Sequence, residues 1–262
     1  MEVKKSNLEK GFVDVYDFGD IKLHAYQTGD VMNDEAFILE NNDNVLLVEF
    51  PAFYDDLDQY EKYVSGLNNT IIGKVFSDHP NGGTLFSDVK SYASEGTIKS
   101  MENGTIHNLV EGFKTAFDGG FASEMHTITD VLKEGNINIG GFDLEITYHD
   151  EDIEIVFPQI NSVYTHMLGH DTHSIVAGSL HADAIISQLE NYKEKGYDLI
   201  LSSHYTPETL SDVDEKIAYL KNLKEIASSV STKDEFISKV KEAYPEYKGL
   251  NYLDMSAGYF FQ

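Results

Sequence analysis

The first fifty residues are broken into short apolar runs separated by Gly, Asn and Asp, and this restricts the fold more than any other feature. Phe12–Tyr16, Ile21–Tyr26, Ala36–Leu39 and Asn44–Phe50 are too short for helices and rich in β-branched and aromatic residues, which predicts successive strands. The period then changes. Tyr54–Leu67 sets Leu57, Tyr60, Val64 and Leu67 three and four residues apart, the spacing of one helical face. Asp55 and Asp56 fall at its start, where the positive end of the helix dipole favours acids. Ile71–Phe76 returns to strand and runs into Ser77-Asp78-His79-Pro80-Asn81-Gly82-Gly83, a polar loop at a strand's end, where proteins commonly display functional groups.

Val89–Ala93 reads as a short strand and residues 96–117 as helical with small breaks. Leu144–His149, Ile153–Phe157 and Ser162–His166 read as strands, Ala182–Lys195 as a helix, Leu199–Ser202 as a buried strand leading to His204, and Asp212–Ser228 and Lys233–Ala243 as helices. No repeat and no linker rich in Pro, Gly or Ser divides the chain, so a single domain over 1–262 is expected, with a helical and aromatic tail from about residue 231. Tyr244–Phe261 is expected to serve as core or subunit contact, which leaves a homo-oligomer open. Strands and helices in this order predict the α/β class, sheets cored together with helices outside.

Charge narrows the partners. Asp and Glu number 45 against 19 Lys and Arg, a formal charge of −26 over 262 residues. Nucleic acid and anionic membrane surfaces are excluded as partners, because both are bound through basic side chains. A small molecule is the expected ligand. With no cysteine, thiolate ligands and disulfides are excluded, so any transition-metal site must use His and carboxylates. Residues 1–15, MEVKKSNLEKGFVDV, lack the apolar core of a signal peptide, and no run approaches the roughly 18 apolar residues of a membrane span, so a cytoplasmic location is expected.

Ten histidines are present, and their placement matters more than their number. His79 follows a strand, His149 ends one, His166, His170 and His173 lie with Asp171 after another, and His204 closes the last. Strand-end loops that converge on one side of a sheet make a pocket. Neutral imidazoles there can bind a metal, with Asp supplying oxygen, or form a polar pocket hydrogen-bonded to carboxylates with no metal at all. No GxxxxGK[ST], no GxGxxG after a strand and no GxSxG elbow offers another template.

The order of a strand of the type LLVEF, a helix, a strand entering a His/Asp loop followed by two glycines, and late strands ending in Asp and His resembles the metallo-β-lactamase superfamily over roughly residues 12–230. The match is best over 152–207, where SSHYTP resembles the segment with that family's last metal-binding His, and the same stretch is similar to the alkyl-sulfatase branch. The resemblance implies a four-layer αββα sandwich of two mixed β-sheets flanked by helices. It also implies metal ligands at His79, His149, Asp171 and His204, chemistry assisted by the acids Asp78 and Asp171, and His166, His170 and His173 as replacement ligands or pocket residues. The family signature His-x-His-x-Asp-His is incomplete. With His79 in the second His place, Ser77, Asn81 and Gly82 occupy the other three; with Asp78-His79 in the Asp-His place, Lys74 and Phe76 occupy the first two. The supporting strand-end acid is Glu49 instead of Asp. The expectation is a hydrolase-like protein acting on a small ester, lactone, sulfate or related substrate with zinc at one site at most. The alternative is a metal-free, inactive relative that binds a small molecule or serves as a scaffold.

Overall fold

The computed structural model describes residues 2–78, 80–82, 85–149, 152–166 and 169–261. In chain order the elements are β1 (Glu2–Asn7), β2 (Phe12–Asp17), β3 (Lys22–Gln27), β4 (Glu35–Glu40), β5 (Asn44–Val48), α1 (Tyr54–Gly66), β6 (Thr70–Val75), β7 (Ser91–Ala93), α2 (Glu95–Asn103) and α3 (Thr105–Ala116). Then come β8 (Asp130–Val131), β9 (Gly135–Ile139), β10 (Phe142–Tyr148), β11 (Ile153–Phe157), β12 (Ser162–Tyr164), α4 (Ser179–Lys195), β13 (Leu199–Ser202), β14 (Tyr205–Glu208), α5 (Leu210–Ser229), α6 (Lys233–Ala243) and α7 (Leu250–Phe260). One sheet runs β1-β2-β3-β4-β5-β6-β7-β8 and the other β14-β13-β12-β11-β10-β9. The first is antiparallel from β1 to β5 and parallel from β5 to β8. The α/β class of two mixed sheets with helices is therefore the one expected from the sequence. Among the described residues no helix is long and apolar enough to cross a membrane.

Contacts divide the chain into two compact units, Met1–His166 with Leu201–Thr206, and Met167–Ile200 with Pro207–Gln262. In the first, β4 and β5 are almost wholly buried and so read as continuous apolar runs, whereas β10 alternates buried and exposed residues because one face is covered. Helix α1 turns Tyr60 and Val64 into a cluster with Val13, Tyr26, Ile38, Leu47, Phe50 and Phe76. Burying each such apolar side chain contributes about 1.5–3 kcal/mol. Tyr60 meets Tyr26 and Phe50 edge-on at 5.1 and 5.2 Å, but its buried hydroxyl has no hydrogen-bond partner among the described residues. Tyr60→Phe is therefore expected to raise stability by about 1 kcal/mol, read as a higher urea midpoint, since it removes a dry hydroxyl and keeps the ring.

In the second unit a Thr209–Asp212 capping box starts α5. The buried Lys216 ammonium on that helix donates to the carbonyls of Gly169 (2.9 Å) and Thr172 (2.7 Å), and burial brings its pKa down to about 7. Leu220, Leu223, Phe236, Val240 and Leu253 form buried apolar positions along α5, α6 and α7.

Several elements differ from expectation. β10 stops at Tyr148 and β12 at Tyr164, so His149 and His166 stand just beyond their strands. Residues 96–117 form two helices parted at Gly104. β1, EVKKSN, does not read as a strand in the sequence because it is an edge strand, exposed along nearly its whole length and free of alternation.

Candidate functional site

The site in the first unit is assembled from strand ends. Glu49, just past the end of β5, adopts a left-handed backbone (φ 55°) and is 1% exposed. Its Oε1 accepts from the backbone N–H of Ser77 (2.6 Å) and from the Tyr164 hydroxyl (3.3 Å). The supporting acid expected here thus ties the ends of β5, β6 and β12 together. Tyr164 also shares a 2.5 Å hydrogen bond with Ser203 Oγ, which lies 3.2 Å from His166 Nδ1. His166 Nδ1 is 3.1 Å from Asp78 Oδ2.

A second carboxylate–imidazole pair stands beside the first. Asp34, just before β4, places Oδ1 3.1 Å from His204 Nδ1 and accepts from the Ala52 backbone N–H at 3.2 Å through Oδ2. The His166 and His204 rings are 5.3 Å apart and nearly perpendicular, at 81°. Around them the charge is negative and partly dehydrated. The Asp152 carboxyl is raised above its ordinary range by burial and then by Asp78, against the opposing pull of His149 and His166. Asp30 is pushed up to about 6 by burial and Asp34. Such an arrangement favours a neutral or cationic guest.

The geometry separates what these groups can do. Ser203 Oγ and Asp78 both address Nδ1 of His166. A Ser-His-Asp triad needs nucleophile and acid on opposite ring nitrogens, so Ser203 is not activated in that way. With the His166 proton on Nδ1 and directed at Asp78, the lone pair lies on Nε2, the arrangement of a general base or of a ligand imidazole held by an outer acid.

Of the residues expected from the sequence, Asp78, His166 and His204 come together here. His149 is exposed, its backbone N–H bonded to the Asp152 carbonyl at 3.1 Å, and its charge acts on Asp152. His79 lies outside the described residues. His170, Asp171 and His173 belong to the second unit and have partners there. His170 binds Glu208 through its backbone N–H (2.6 Å) and Nδ1 (2.7 Å), and Asp171 pairs with Lys248 at 3.3 Å. His173 Nδ1 is 3.0 Å from the Tyr219 hydroxyl, and burial, aided by Lys216, brings its pKa down to about 4.

The loop residues that the sequence aligns with the family signature have structural tasks of their own. Ser77 Oγ donates to the Ile153 carbonyl (2.9 Å) and accepts from the Ile153 N–H (3.1 Å), stitching the end of β6 to the start of β11. Gly82 has φ 103°, and a Cβ there would stand 2.9 Å from Phe50 Cβ and 3.2 Å from the Pro51 carbonyl oxygen, so no side chain fits without displacement. Asn81 is 1% exposed, with its Nδ2 buried and unpartnered. In the other register Phe76 is fully buried core, and the Lys74 ammonium donates to the carbonyls of Phe86 (2.9 Å) and Leu85 (3.3 Å).

Sequence comparison finds no matching protein-family model and no matching curated protein. Structural comparison does. The chain matches a metallo-β-lactamase family protein from Thermus thermophilus with a TM-score of 0.64 at 9% identity, covering 92% of this chain and 91% of that one. It matches the stereoselective inverting sec-alkylsulfatase Pisa1 from Pseudomonas sp. with a TM-score of 0.62 at 15% identity, covering 90% of this chain and 48% of that one. The fold is the metallo-β-lactamase fold. A metallo-β-lactamase from Pontibacter korlensis also matches, with a TM-score of 0.51 at 13% identity over 84% of this chain and 100% of that one. The chain spans about half the length of the alkylsulfatases it matches.

A metallo-β-lactamase fold raises the question of zinc. Among the described residues no group of three His, Asp or Glu side chains is arranged to hold a metal ion, whereas a zinc site needs three or four protein ligands. His166 and His204 each face a carboxylate through Nδ1, but the described donors do not complete a set, and no chemical step is assigned to a metal. Sequence reasoning found these histidines and passed over Asp34, Asp152, Tyr164 and Ser203. Ser203 alone carried a signal, its place beside His204.

Proposed function

We propose that this chain is a hydrolase-like protein of the metallo-β-lactamase fold that acts on a small ester, lactone, sulfate or related substrate and holds at most one metal ion. The observation that carries the reading is the pair of acid-oriented imidazoles, His166 on Asp78 and His204 on Asp34, with ring centres 5.3 Å apart. An imidazole held in place by a carboxylate can serve as a general base, and such a base accelerates attack by water on an activated carbonyl by about 10²–10⁴-fold. Asp78 and Asp34 hold the rings in place, and Ser203, bonded to Tyr164, meets His166 at the same Nδ1. A dianionic substrate is disfavoured by the surrounding carboxylates, so within the proposed range neutral esters and lactones fit best.

The alternative, a metal-free relative that only binds a small molecule, is supported by the structural tasks of Ser77 and Gly82. Hydrolysis of neutral p-nitrophenyl esters separates the two readings. The hydrolase reading expects turnover that falls about 10²-fold or more in His166→Ala, with circular dichroism unchanged. No turnover by the original protein, or equal turnover in the variant, supports the binding-only reading instead.

A further inference from the structure

The first unit contains a cavity of about 250 Å³ whose lining is of two unlike kinds. Helix α3 contributes Ile106, Leu109, Val110 and Phe113, the i, i+3, i+4 and i+7 positions of one apolar face. The strand-end loops contribute Asp78, Asp152 and His166. Asp78 meets His166 Nδ1 at 3.1 Å, and Asp152 lies close enough to both to feel their charge. The side chains of Asp78 and His166 keep 16% and 22% of their surface open, so both can be reached from solvent. Among the described residues that line the cavity there is no lysine or arginine. An apolar wall beside two carboxylates suits a guest that is apolar over most of its length and positively charged at one end.

We infer that this cavity takes a small primary amine, its ammonium beside Asp78 and Asp152 and its short alkyl arm or single aryl ring against α3. The inference names the ligand class of the site proposed above and rests on that reading: the substrate is then an ester that carries such an amine. Size agrees: a cavity of about 150 Å³ already accepts benzene, so this one accommodates a ring with a short arm. A carboxylate that is partly withdrawn from water gains more from an ammonium than one on an open surface, because the local dielectric is lower.

Simple amines test this without a bond to hydrolyse. Dissociation constants are measured for the full chain at pH 7 by ligand-observed NMR, with EDTA present so that no bond between amine and metal contributes. Phenethylamine, 2-phenylethanol and phenylacetate share a ring and differ in charge. Phenethylamine is expected to bind about tenfold or more tightly than the alcohol, and phenylacetate most weakly. From propylamine to heptylamine, affinity should rise about fourfold per added methylene until the cavity is filled. Asp152→Asn should remove most of the advantage of the amine while 2-phenylethanol still binds, a result that also reports an intact cavity. A preference due only to the overall charge of −26 would survive that change. Val110→Phe, which places a ring inside the cavity, should weaken amine and alcohol alike by about tenfold. Equal binding of amine and alcohol, a flat chain-length series, an amine preference retained in Asp152→Asn, loss of alcohol binding in that variant, or unchanged binding in Val110→Phe overturns the inference. Amine preference without hydrolysis of the p-nitrophenyl esters of either phenylalanine or 3-phenylpropanoic acid removes the hydrolase reading alone. Hydrolysis of the neutral ester without amine preference removes this inference alone.

Discussion

Gly82→His, which places histidine where one of the two alignments with the family signature puts its last one, is expected to lower stability by about 3–5 kcal/mol and to add no bound metal. Two effects act together. The backbone at φ 103° is one that side-chain-bearing residues rarely adopt, and the new Cβ would stand 2.9 Å from Phe50 Cβ and 3.2 Å from a backbone carbonyl. Phe50 cannot easily yield, because it contacts Tyr60, Phe76, Phe86 and His126. Urea unfolding and elemental analysis of the variant check the two halves of the prediction separately. A variant as stable as the original, carrying an extra equivalent of zinc, would show that the loop after β6 tolerates the family ligand.

Acid is expected to destabilise the first unit through His126, and His126→Phe should remove that part of the pH dependence. The imidazole is 4% exposed, lies against Phe76 and Phe50 at 4.9 and 4.8 Å, and faces the Lys74 ammonium across 3.2 Å. Burial, and then the positive charge of Lys74, lowers its pKa from 6.5 to about 3. Between those values the unfolded chain binds a proton that the folded chain refuses. Stability from this group is therefore full above pH 6.5 and falls by about 1.4 kcal/mol for each unit of acidification until about pH 3. Asp30 acts in the opposite sense, since its raised pKa of about 6 favours the folded state as pH falls toward the ordinary carboxylate range. The difference between variant and original is accordingly the quantity to read. From pH 6.5 to 4.5 the original should lose about 2 kcal/mol more than His126→Phe in urea unfolding. Parallel losses would mean that His126 titrates normally.

The sheets were legible wherever burial leaves a pattern. Ala36–Leu39 of β4 and Val45–Val48 of β5 are apolar without interruption, β10 alternates, and α1 repeats at three and four residues, so each announces its surroundings. β1 has no buried face to announce, and β14, YTPE, is polar and contains proline. The same distinction governs the site. Histidine is scarce enough that His166 and His204 stand out at strand ends, and their rings meet in the site 5.3 Å apart. Asp34 and Asp152 are two acids among 45, and nothing local separates a carboxylate that orients an imidazole from one that faces water. Glu49 was found only through the resemblance; its left-handed backbone and its bonds to Ser77 and Tyr164 are products of tertiary structure. The cavity beside Asn81 was likewise hidden, because it depends on α3 presenting one face to Ala52 and Phe121.

The proposal of at most one metal ion is tested most directly by native mass spectrometry of protein prepared without chelator and then titrated with zinc. The account predicts no more than one tightly held ion per chain, with that ion, where present, lost in His204→Ala. Two retained ions per chain would contradict it.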